Sequence, residues 1–415
     1  MRLIYIHQYF VTNEGTSATR SYDVSRYLIE MGHQVTMITG VHDQSSLPRM
    51  PWYRLFQTHH IDGIRVIACN AWYANRLPVS GRMWAWLKFA MLATWAALRA
   101  GKADLIFATS TPPTVGIPAR LAAALKRIPY IFEVRDLWPE DLIAAGRMKP
   151  GLQSRFWEWL ERFCYARARR ILLVSRGFHD RLLERGFPPE KLRTVVLGAD
   201  GSLYRDVRPD HDYWHARGLD GRIKAVYTGA HGDANGLTQL LDAAELLRHR
   251  PDIAIVLIGE GKMRPVLIDE AKRRGLTNVH LLEPVQKLQI PGILAAADIG
   301  LMILKQIVRP RWVTPNKIFD YMFAGLPTIV NFAGTTADLV ESAGIGVASK
   351  PGDAADLAAR IERWADHPDE RRAIGTRARE TAFARFDRRM IATELASVFE
   401  EAIRECAAPA GRRQA

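Results

Sequence analysis

The chain has 415 residues, of which 48% are hydrophobic and 24% charged, and this composition excludes a collagen-like, low-complexity or wholly disordered protein. Lysine and arginine outnumber aspartate and glutamate by 57 to 44, and the net charge of +13 favours acidic partners: nucleic acid, phosphorylated small molecules or anionic lipid. Because Cys69, Cys164 and Cys406 are far apart, we expect neither a disulfide scaffold nor a cysteine-based zinc site, and a reducing cytosol fits.

Short apolar runs alternate with helical patterns through the first half of the chain. The runs mostly lack two-residue alternation, which is typical of parallel strands buried on both faces. The predicted strands are Leu3–Tyr9, Gln34–Thr39, Gly63–Ala68, Asp104–Ser110, Tyr130–Val134 and Ile171–Ser175, and the predicted helices cover 18–31, 84–100, 116–127, 154–169 and 177–186. This alternation predicts a doubly wound α/β domain over residues 1–198, with ligands beyond the carboxyl ends of its strands.

One helical segment, residues 82–102, is apolar almost all round, with Lys88 as the only charge between its basic ends. Two interpretations stay open. The segment is either a buried helix with snorkelling cations, or a helix lying on an anionic membrane with Trp84, Trp86 and Trp95 at the headgroup level. No run reaches the length of a transmembrane helix, and the apolar N-terminal run is too short for a secretory signal.

A polar stretch rich in glycine, aspartate and arginine, residues 199–222, predicts an interdomain linker. The alternation then restarts and predicts a second doubly wound domain over residues 223–385. Residues 368–405 are charged and helical, and we expect the C-terminal part, 386–415, to pack back towards the first domain. The predicted strands are Lys224–Thr228, Ile253–Ile258, Val279–Leu282, Ile299–Leu304 and Thr328–Asn331, and the predicted helices cover 236–249, 262–274, 288–297 and 315–324.

The last of these helices has a start that suits an anion. Thr314 is a natural N-cap, Pro315 belongs at the first helical position, and Gly325 can end the helix. Lys317 in the first turn is unfavourable beside the positive end of the helix dipole unless an anion is bound, which points to a diphosphate. Asp320, one turn on, can accept hydrogen bonds from sugar hydroxyls. The alternative is an ordinary capped helix with a solvated lysine and aspartate.

Two more turns leave predicted strands of the second domain and enter helices. One reads Gly-Glu-Gly-Lys after Ile258, and the other runs from Thr228 to Gly236. Such turns are common in α/β domains, but turns at the ends of neighbouring strands converge on one cleft, where glycine lets the backbone approach a ligand and lysine neutralises phosphate. The residues predicted to bind the ligand in these turns are Gly229, His231, Asn235, Gly259, Gly261 and Lys262.

Two segments of the first domain follow strands in the same way. Residues 13–17 follow the first strand, and Gly15 with its neighbouring hydroxyls and amides is predicted to face the same anion, unless this is a plain βα loop. The stretch from Glu133 to Glu140 ends a strand with three acids and an arginine, and Asp136 is a candidate catalytic group there. A structural pair of Arg135 with Glu133 or Asp136 is the rival interpretation.

These segments resemble the family-4 glycosyltransferases of the GT-B fold, which have two doubly wound Rossmann-like domains with a cleft between them. The resemblance covers essentially the whole chain. EVRDLWPE, TPNKIFDYM and the tryptophan-rich segment before Ala103 resemble the bacterial surface-polysaccharide subgroup of WbuB-type amino-sugar transferases. The most specific segments are the N-terminal pattern through Gly15 to Thr36, Glu133–Glu140, Gly259–Gly261, Ala296–Asp298 and Pro315–Gly325.

The resemblance implies a nucleotide-diphosphate sugar donor, with UDP as the nucleotide, held by the second domain, and an acceptor held by the first. It implies retention at the anomeric carbon, no cofactor and no catalytic metal. At the helix start, Pro315 and Asn316 would bind the donor, and Lys317 and Asp320 would also act in catalysis, while Asp136 would orient the acceptor or serve as base. The implied acceptor is a lipid-linked or oligosaccharide precursor of a surface polysaccharide, which places the enzyme in the cytoplasm, peripherally at the inner face of the membrane, with residues 82–102 against anionic lipid.

The sequence departs from the family pattern at three places. Many members carry two glutamates eight positions apart around the donor, whereas this chain has Trp312 and Asp320 there. The arginine and lysine common in the first turn of the second domain are replaced near His231 and Asn235, so that His231, Lys262 and Lys317 must supply more of the diphosphate stabilisation. Where many members have a histidine at a strand end of the first domain, this chain has an arginine followed by Asp136.

Two functions of other classes remain as alternatives. A UDP-sugar epimerase of the same architecture would convert a donor without any acceptor. A basic nucleic-acid-binding protein would explain the net charge, but the basic residues are scattered, often beside acids, and no motif for RNA or DNA binding is present. We therefore expect no nucleic-acid partner.

Overall fold

A computed structural model describes residues 1–15, 18–74, 76–144, 146–305, 312 and 314–407. The chain divides into two compact units. The first unit comprises Met1–Val196 together with the segment from Arg388, and the second unit comprises Leu197–Asp387. Each is built on its own sheet with helices packed against it, so the predicted α/β class with two Rossmann-like domains is confirmed.

The first unit contains eight strands. They are β1 (Arg2–Ile6), β2 (Gln34–His42), β3 (Phe56–Ile61), β4 (Ile64–Tyr73), β5 (Leu105–Thr109), β6 (Tyr130–Val134), β7 (Arg170–Leu173) and β8 (Leu192–Thr194). Their order in the sheet is β3-β4-β2-β1-β5-β6-β7-β8, and every pair is parallel except β3 with β4. The strand order reverses between β1 and β5, and ligands of such sheets bind beyond the carboxyl ends of the strands at that point.

In the described ranges of the first unit, six helices lie between these strands along the chain. They are α1 (Arg20–Glu30), α2 (Val79–Arg99), α3 (Gly116–Lys126), α4 (Glu140–Ala144), α5 (Leu152–Ala166) and α6 (Arg176–Glu184). Strands β5, β6 and β7 are buried along their whole length, as continuous apolar runs predict. Gly32 ends the first helix with φ of +84°, a left-handed conformation that glycine adopts without steric cost.

The second unit has a six-stranded sheet in which all pairs are parallel. Its strands are β9 (Ile223–Thr228), β10 (Ile253–Ile258), β11 (Val279–Leu282), β12 (Ile299–Met302), β13 (Thr328–Val330) and β14 (Gly346–Ala348), in the order β11-β10-β9-β12-β13-β14. Its helices are α7 (Ser202–Arg205), α8 (His211–His215), α9 (Thr238–Leu246), α10 (Arg264–Arg273), α11 (Ile290–Ala295), α12 (Lys317–Ala324), α13 (Thr335–Ser342), α14 (Ala354–Asp366) and α15 (Pro368–Arg385). The order reverses between β9 and β12, so the loops after these strands flank the expected ligand position.

The prediction that residues 199–222 form an interdomain linker is wrong. Residues 199–222 belong to the second unit, where they form α7 and α8 instead of a free connection. Tyr204 and Trp214 are 0% and 1% exposed, and the indole of Trp214 donates a hydrogen bond to the carbonyl of Ile293 at 3.2 Å. Two buried aromatic side chains outweigh the polar composition of the stretch, because each removes a large apolar area from water.

The charged C-terminal segment is two helices, not one. Helix α15 ends at Arg385, and α16 (Arg388–Ala407) starts after Phe386 and Asp387. The ring of Phe386 is buried against Phe319, 5.0 Å between centroids, which fixes the break. Helix α16 groups with the first unit, where it packs against α1. Of the helices in the described ranges, none combines the length and the apolar character that a membrane span requires.

Candidate functional site

Helix α12 begins two residues later than the sequence predicts. Its first helical residue is Lys317, the N-cap is Asn316, and Thr314 and Pro315 lie outside the helix, so the predicted capping by Thr314 is wrong. The side-chain oxygen of Asn316 is buried and has no hydrogen-bond partner within the described ranges. At the other end, Gly325 stops the helix with φ of +73°, as predicted.

The tyrosine Tyr321 fixes α12 against the sheet. Its hydroxyl accepts a hydrogen bond from the backbone amide of Thr228 at 2.9 Å and lies 3.3 Å from the carbonyl of Leu301. A Cβ at Gly300 would lie 2.7 Å from the Tyr321 ring, so only glycine lets β12 pass this side chain so closely. The start of α12 is thereby held beside the carboxyl ends of β9 and β12.

Lys317 is a partly buried cation at that place. Its Nζ lies 3.4 Å from the centre of the Tyr227 ring, and a Cβ at Gly229 would lie 3.2 Å from the same atom. Burial lowers the pKa of Lys317 well below its ordinary value, and no described carboxylate offsets this effect. A cation without an acidic partner, at the start of a helix and over an aromatic face, is suited to bind an anion.

The loops after β9 and β10 cross each other at close range. A Cβ at Gly259 would lie 1.9 Å from the carbonyl oxygen of Gly229, and one at Gly261 would lie 2.5 Å from that of His231. The amide of His231 donates a hydrogen bond to the carbonyl of Glu260 at 2.8 Å. These glycines are therefore required by the contact between the two loops, a reason that the sequence alone did not reveal.

The other predicted residues of these loops have distinct surroundings. The ring of His231 is fully buried, and neither ring nitrogen has a hydrogen-bond partner in the described part of the chain. Burial, with a smaller contribution from Arg264, lowers the pKa of His231 to about 4, so the ring is neutral near pH 7. Asn235 donates to the carbonyl of Ala230 at 2.6 Å and closes its own loop, whereas Lys262 is exposed in the turn before α10.

Asp320 has two partners that the sequence did not indicate. Its Oδ1 accepts hydrogen bonds from the Tyr204 hydroxyl at 2.7 Å and from Lys287 Nζ at 2.6 Å. Tyr204 lies in the predicted linker and Lys287 just before a predicted helix, and neither position carried a pattern that would mark it. Trp312, where a second carboxylate is expected from the family pattern, is buried.

In the first unit, Glu133 pairs with Arg20 and not with Arg135. Arg20 donates to Glu133 Oε1 at 3.1 and 2.7 Å, and Thr109 donates to the other carboxylate oxygen. Burial alone would raise the pKa of Glu133, but the Arg20 guanidinium outweighs it and holds the pKa below its ordinary value. The structure therefore has a buried ion pair between Glu133 and Arg20, 113 residues apart in sequence, instead of the predicted pair of Glu133 with Arg135.

The candidate base Asp136 is exposed and accepts a hydrogen bond from the Thr111 hydroxyl. Gly15 lies in a turn, where a Cβ would lie 2.2 Å from the Val11 side chain and 2.8 Å from the carbonyl oxygen of Gln44, so packing already demands glycine there. Thr16 and Ser17 of the same predicted loop lie outside the described residues.

The first unit also contains a cavity that the sequence analysis missed. Its volume is about 420 Å³, and Thr111, the partner of Asp136, is one of its lining residues. The wall carries two tyrosines, three tryptophans and two arginines, from segments far apart in sequence. These lining residues include Tyr9, Tyr73, Trp86, Trp138, Trp157, Arg82 and Arg147. Within the described ranges, no group of three or more His, Cys, Asp or Glu side chains is arranged to hold a metal ion.

Two family models match successive parts of the chain. Residues 15–198 match a glycosyl transferase 4-like domain, and residues 216–381 match the glycosyl transferases group 1.

Curated relatives align with a smaller part of the chain. It is 23% identical over 275 residues to a probable glycosyltransferase WbjE of Pseudomonas aeruginosa, covering 64% of this chain and 66% of that protein. It is 24% identical over 256 residues to an alpha-D-kanosaminyltransferase of Streptomyces kanamyceticus (59% and 63% covered). It is also 24% identical over 255 residues to a putative colanic acid biosynthesis glycosyl transferase WcaI of Escherichia coli (59% and 62%). These matches span just under two thirds of each relative.

Among solved structures, the chain is similar to Alr3699/HepE of Anabaena in complex with UDP. The TM-score is 0.69 at 17% identity, with 97% of this chain and 100% of the other covered. At this identity, the likeness establishes the fold alone.

Proposed function

The chain belongs to the GT-B glycosyltransferases, with a glycosyl transferase 4-like domain followed by a group 1 domain, and from this premise we propose that it transfers a sugar from a nucleotide-diphosphate donor to a saccharide or lipid-linked acceptor. The donor binds the second unit and its nucleotide is UDP, a choice supported by the fold shared with a UDP-bound protein. The observation that carries the proposal is the cation of Lys317, which has no acidic partner in the described part of the chain and lies beside Gly229 at the reversal point of the second sheet.

Cleavage of the glycosyl–phosphate bond puts positive charge on the sugar ring and negative charge on the departing diphosphate. Lys317 and the amides at the start of α12 stabilise that negative charge more strongly in the transition state than in the ground state. The acceptor oxygen attacks from the face on which the diphosphate leaves, and the leaving phosphate takes the acceptor proton. This front-face displacement retains configuration, and protein cations carry out the charge stabilisation without a metal.

Two carboxylates complete the proposal. Asp320 is held by Tyr204 and Lys287 through one oxygen, and its second oxygen accepts a hydrogen bond from a hydroxyl of the transferred sugar. Asp136 orients the acceptor hydroxyl, with its carboxylate positioned by Thr111. His231, being neutral, contributes through a hydrogen bond and not through charge.

We also propose that helix α2 lies on an anionic membrane, at the cytoplasmic face, where surface-polysaccharide precursors are assembled. One face of α2 is buried in the first unit, and the other is apolar and exposed. Trp86, expected at the headgroup level, is no part of this exposed face, because it lines the cavity and donates a hydrogen bond to Tyr9. The helix contains no acidic residue, and Lys88 and Arg99 provide charges for anionic headgroups. The exposed apolar side chains are Val79, Met83, Trp84, Leu87, Met91, Trp95 and Leu98.

Vesicle flotation tests the membrane proposal. The wild-type protein should float with vesicles that contain phosphatidylglycerol and not with neutral vesicles, and a Trp84→Ser, Leu87→Ser variant should stay in the soluble fraction. A matched control replaces Leu246 and Val266, exposed apolar residues of the second unit, with serine. Equal behaviour of all three proteins would contradict membrane binding through α2.

Donor transfer is tested by calorimetry and turnover. UDP, GDP and dTDP are titrated into the protein, and the corresponding donor sugars are then assayed with and without acceptor. Lys317→Ala should lower kcat by ~10²-fold or more, as loss of one preorganised charge contact does elsewhere. The control is Lys272→Ala, an exposed lysine of α10. Near-normal kcat and donor KM in Lys317→Ala would contradict the proposed role, and altered donor without acceptor would indicate an epimerase.

A further inference from the structure

The cavity of the first unit has a rigid aromatic wall. The indole of Trp86 donates a hydrogen bond to the Tyr9 hydroxyl at 2.7 Å, and its ring lies 5.7 Å from that of Trp138. Trp138 and Trp157 are 5.0 Å apart between ring centroids. Three indoles thus line one cavity of about 420 Å³, a size that suits a small ligand. Their faces and edges provide a surface on which a sugar ring or an isoprenoid unit can pack.

The same cavity has an excess of positive charge. Arg82 comes from α2 and Arg147 from the segment after α4, and neither guanidinium forms an ion pair with a described carboxylate. The Nε of Arg82 is buried and has no hydrogen-bond partner in the described part of the chain. Asp43 is the one acid among the lining residues that the structure describes. Two arginines against one carboxylate, with a buried donor unused, indicate an anionic ligand, and phosphate suits the guanidinium geometry.

The cavity also borders the apolar face of α2. Val79 and Met83 line the cavity and are 59% and 43% exposed, so they belong both to its rim and to the exposed face described above. From this rim the face continues along the helix through Leu87 and Met91. A ligand with a phosphate in the cavity can therefore lay an apolar chain along α2 without crossing polar surface.

We infer that this cavity binds the phosphate-bearing end of a lipid-linked acceptor. Arg82 and Arg147 hold the phosphate or diphosphate, the tryptophans pack against the adjoining sugar or isoprenoid, and the lipid chain leaves over Val79 and Met83. The inference rests on the proposed transfer reaction and specifies its acceptor as an anionic amphiphile instead of a free saccharide. Because Thr111 lines the cavity and holds Asp136, the bound acceptor lies beside the carboxylate proposed to orient it.

The test measures binding of farnesyl diphosphate, a short isoprenoid diphosphate, by calorimetry below its micelle concentration and with saturating UDP to occupy the donor site. Farnesol and inorganic pyrophosphate are the two comparison probes. We expect farnesyl diphosphate to bind at least ~10-fold more tightly than either, because only it offers both phosphate and chain. Arg82→Gln should weaken it by ~10-fold or more, and Arg82→Gln with Arg147→Gln should weaken it further.

The matched control is Arg155→Gln, which removes an exposed arginine of α5, the helix that also carries Trp157, without touching the cavity lining. It should bind farnesyl diphosphate like the wild type. UDP affinity should be unchanged in every variant, and an unchanged thermal unfolding curve shows that the first unit, which carries the substitutions, is folded. Equal binding of farnesol and farnesyl diphosphate, equal binding of pyrophosphate, or no effect of the arginine variants would overturn the inference while UDP binding leaves the donor proposal standing. Absence of UDP binding would instead contradict the donor proposal.

Discussion

Glu133 in the first unit and Lys317 in the second are both charged side chains near the carboxyl edge of a parallel sheet, but their surroundings differ. Glu133 is 1% exposed and accepts two hydrogen bonds from Arg20 and a third from Thr109. Lys317 lies over the Tyr227 ring, and burial lowers its pKa with no described carboxylate to offset the effect. The same architecture thus carries a paired charge in one unit and an unpaired charge in the other.

This difference teaches how to separate structural from functional charge in two similar sheets. Removing a buried charge that is paired within the protein is costly, because its partner is left uncompensated. Since the pair neutralises both charges, neither is available to a ligand. A charge held away from water without a partner is destabilising until a ligand of opposite sign arrives. On this reasoning Glu133 stabilises the first unit, and Lys317 serves the donor.

The largest effect is expected from Glu133→Gln. It removes one partner of a buried ion pair and leaves the Arg20 guanidinium uncompensated, which costs about 3–5 kcal/mol in the free energy of unfolding. Chemical denaturation followed by circular dichroism checks this. The control, Glu158→Gln, changes an exposed carboxylate of α5 and should unfold like the wild type. Equal stability of both variants would mean that the pair with Arg20 contributes little.

The same pair sets a pH dependence. Because the pKa of Glu133 is lower in the folded protein than its ordinary 4.5, the unfolded state binds the proton more tightly. The stabilisation is complete above about pH 4.5 and is lost as the pH falls through the folded-state pKa. Wild type should therefore lose its stability advantage over Glu133→Gln below about pH 4.5, and a constant difference down to pH 3 would contradict this.

His231 should produce a second pH dependence, at higher pH. Its pKa is about 4 in the folded protein against 6.5 ordinarily, so the unfolded state takes up the proton first as the pH falls. This costs up to roughly 3 kcal/mol between pH 6.5 and 4. Thermal unfolding of wild type and His231→Leu across that range checks it: the slope with pH should be shallower in the variant. Parallel curves would show that His231 is protonated equally in both states.

A smaller effect is expected from Lys317→Met without nucleotide. The change keeps the length of the side chain and removes a charge that has no described partner, so the free energy of unfolding should stay the same or rise by about 1 kcal/mol, and Tm should not fall. The variant should also lose most of the stabilisation by nucleotide, which for wild type is ~2.7 kcal/mol in the free energy of unfolding at a UDP concentration of 100 Kd and is seen as a rise in Tm. A clear fall in Tm of the free variant would mean that Lys317 is structural, like Glu133.

The smallest effect is expected from Asn235→Ala. Its amide donates to the carbonyl of Ala230 within its own loop, and loss of one such bond costs about 0.5–1.5 kcal/mol. UDP affinity should therefore fall by less than ~10-fold. A loss of 100-fold or more would show that Asn235 contacts the nucleotide directly. Asn235 would then serve the donor, as proposed for Lys317, instead of having a structural role like that of Glu133.

The sequence was sufficient for those features that local patterns encode. Continuous apolar runs predict the buried strands β5, β6 and β10, and Gly325 marks the end of α12. Strand β3 was missed because all its residues are half-buried or exposed, and polar residues such as His59 and His60 interrupt its apolar pattern at the sheet edge. Its antiparallel pairing with β4 supplies the hydrogen bonds that its composition does not suggest.

The site was predicted less completely than the fold. Lys317 and the strand-end loops were found, because a cation at a helix start and glycines after strands are local signals. The partners of Asp320 and Glu133 were not, since Tyr204, Lys287 and Arg20 reach them only through tertiary folding, across 116, 33 and 113 residues. The aromatic cavity was missed for the same reason, because its tryptophans and arginines come from separate helices and loops.

The most direct test of the account is the proton balance of UDP binding, measured by calorimetry at pH 9 in two buffers of different ionisation enthalpy. At this pH the nucleotide phosphates are fully ionised; burial lowers the pKa of Lys317 in the free protein, and a bound diphosphate would raise it again. The account predicts proton uptake when UDP binds to wild type, together with weaker binding and no uptake in Lys317→Met. Equal affinity for the two proteins, without proton uptake in either, would contradict the claim that Lys317 receives the diphosphate.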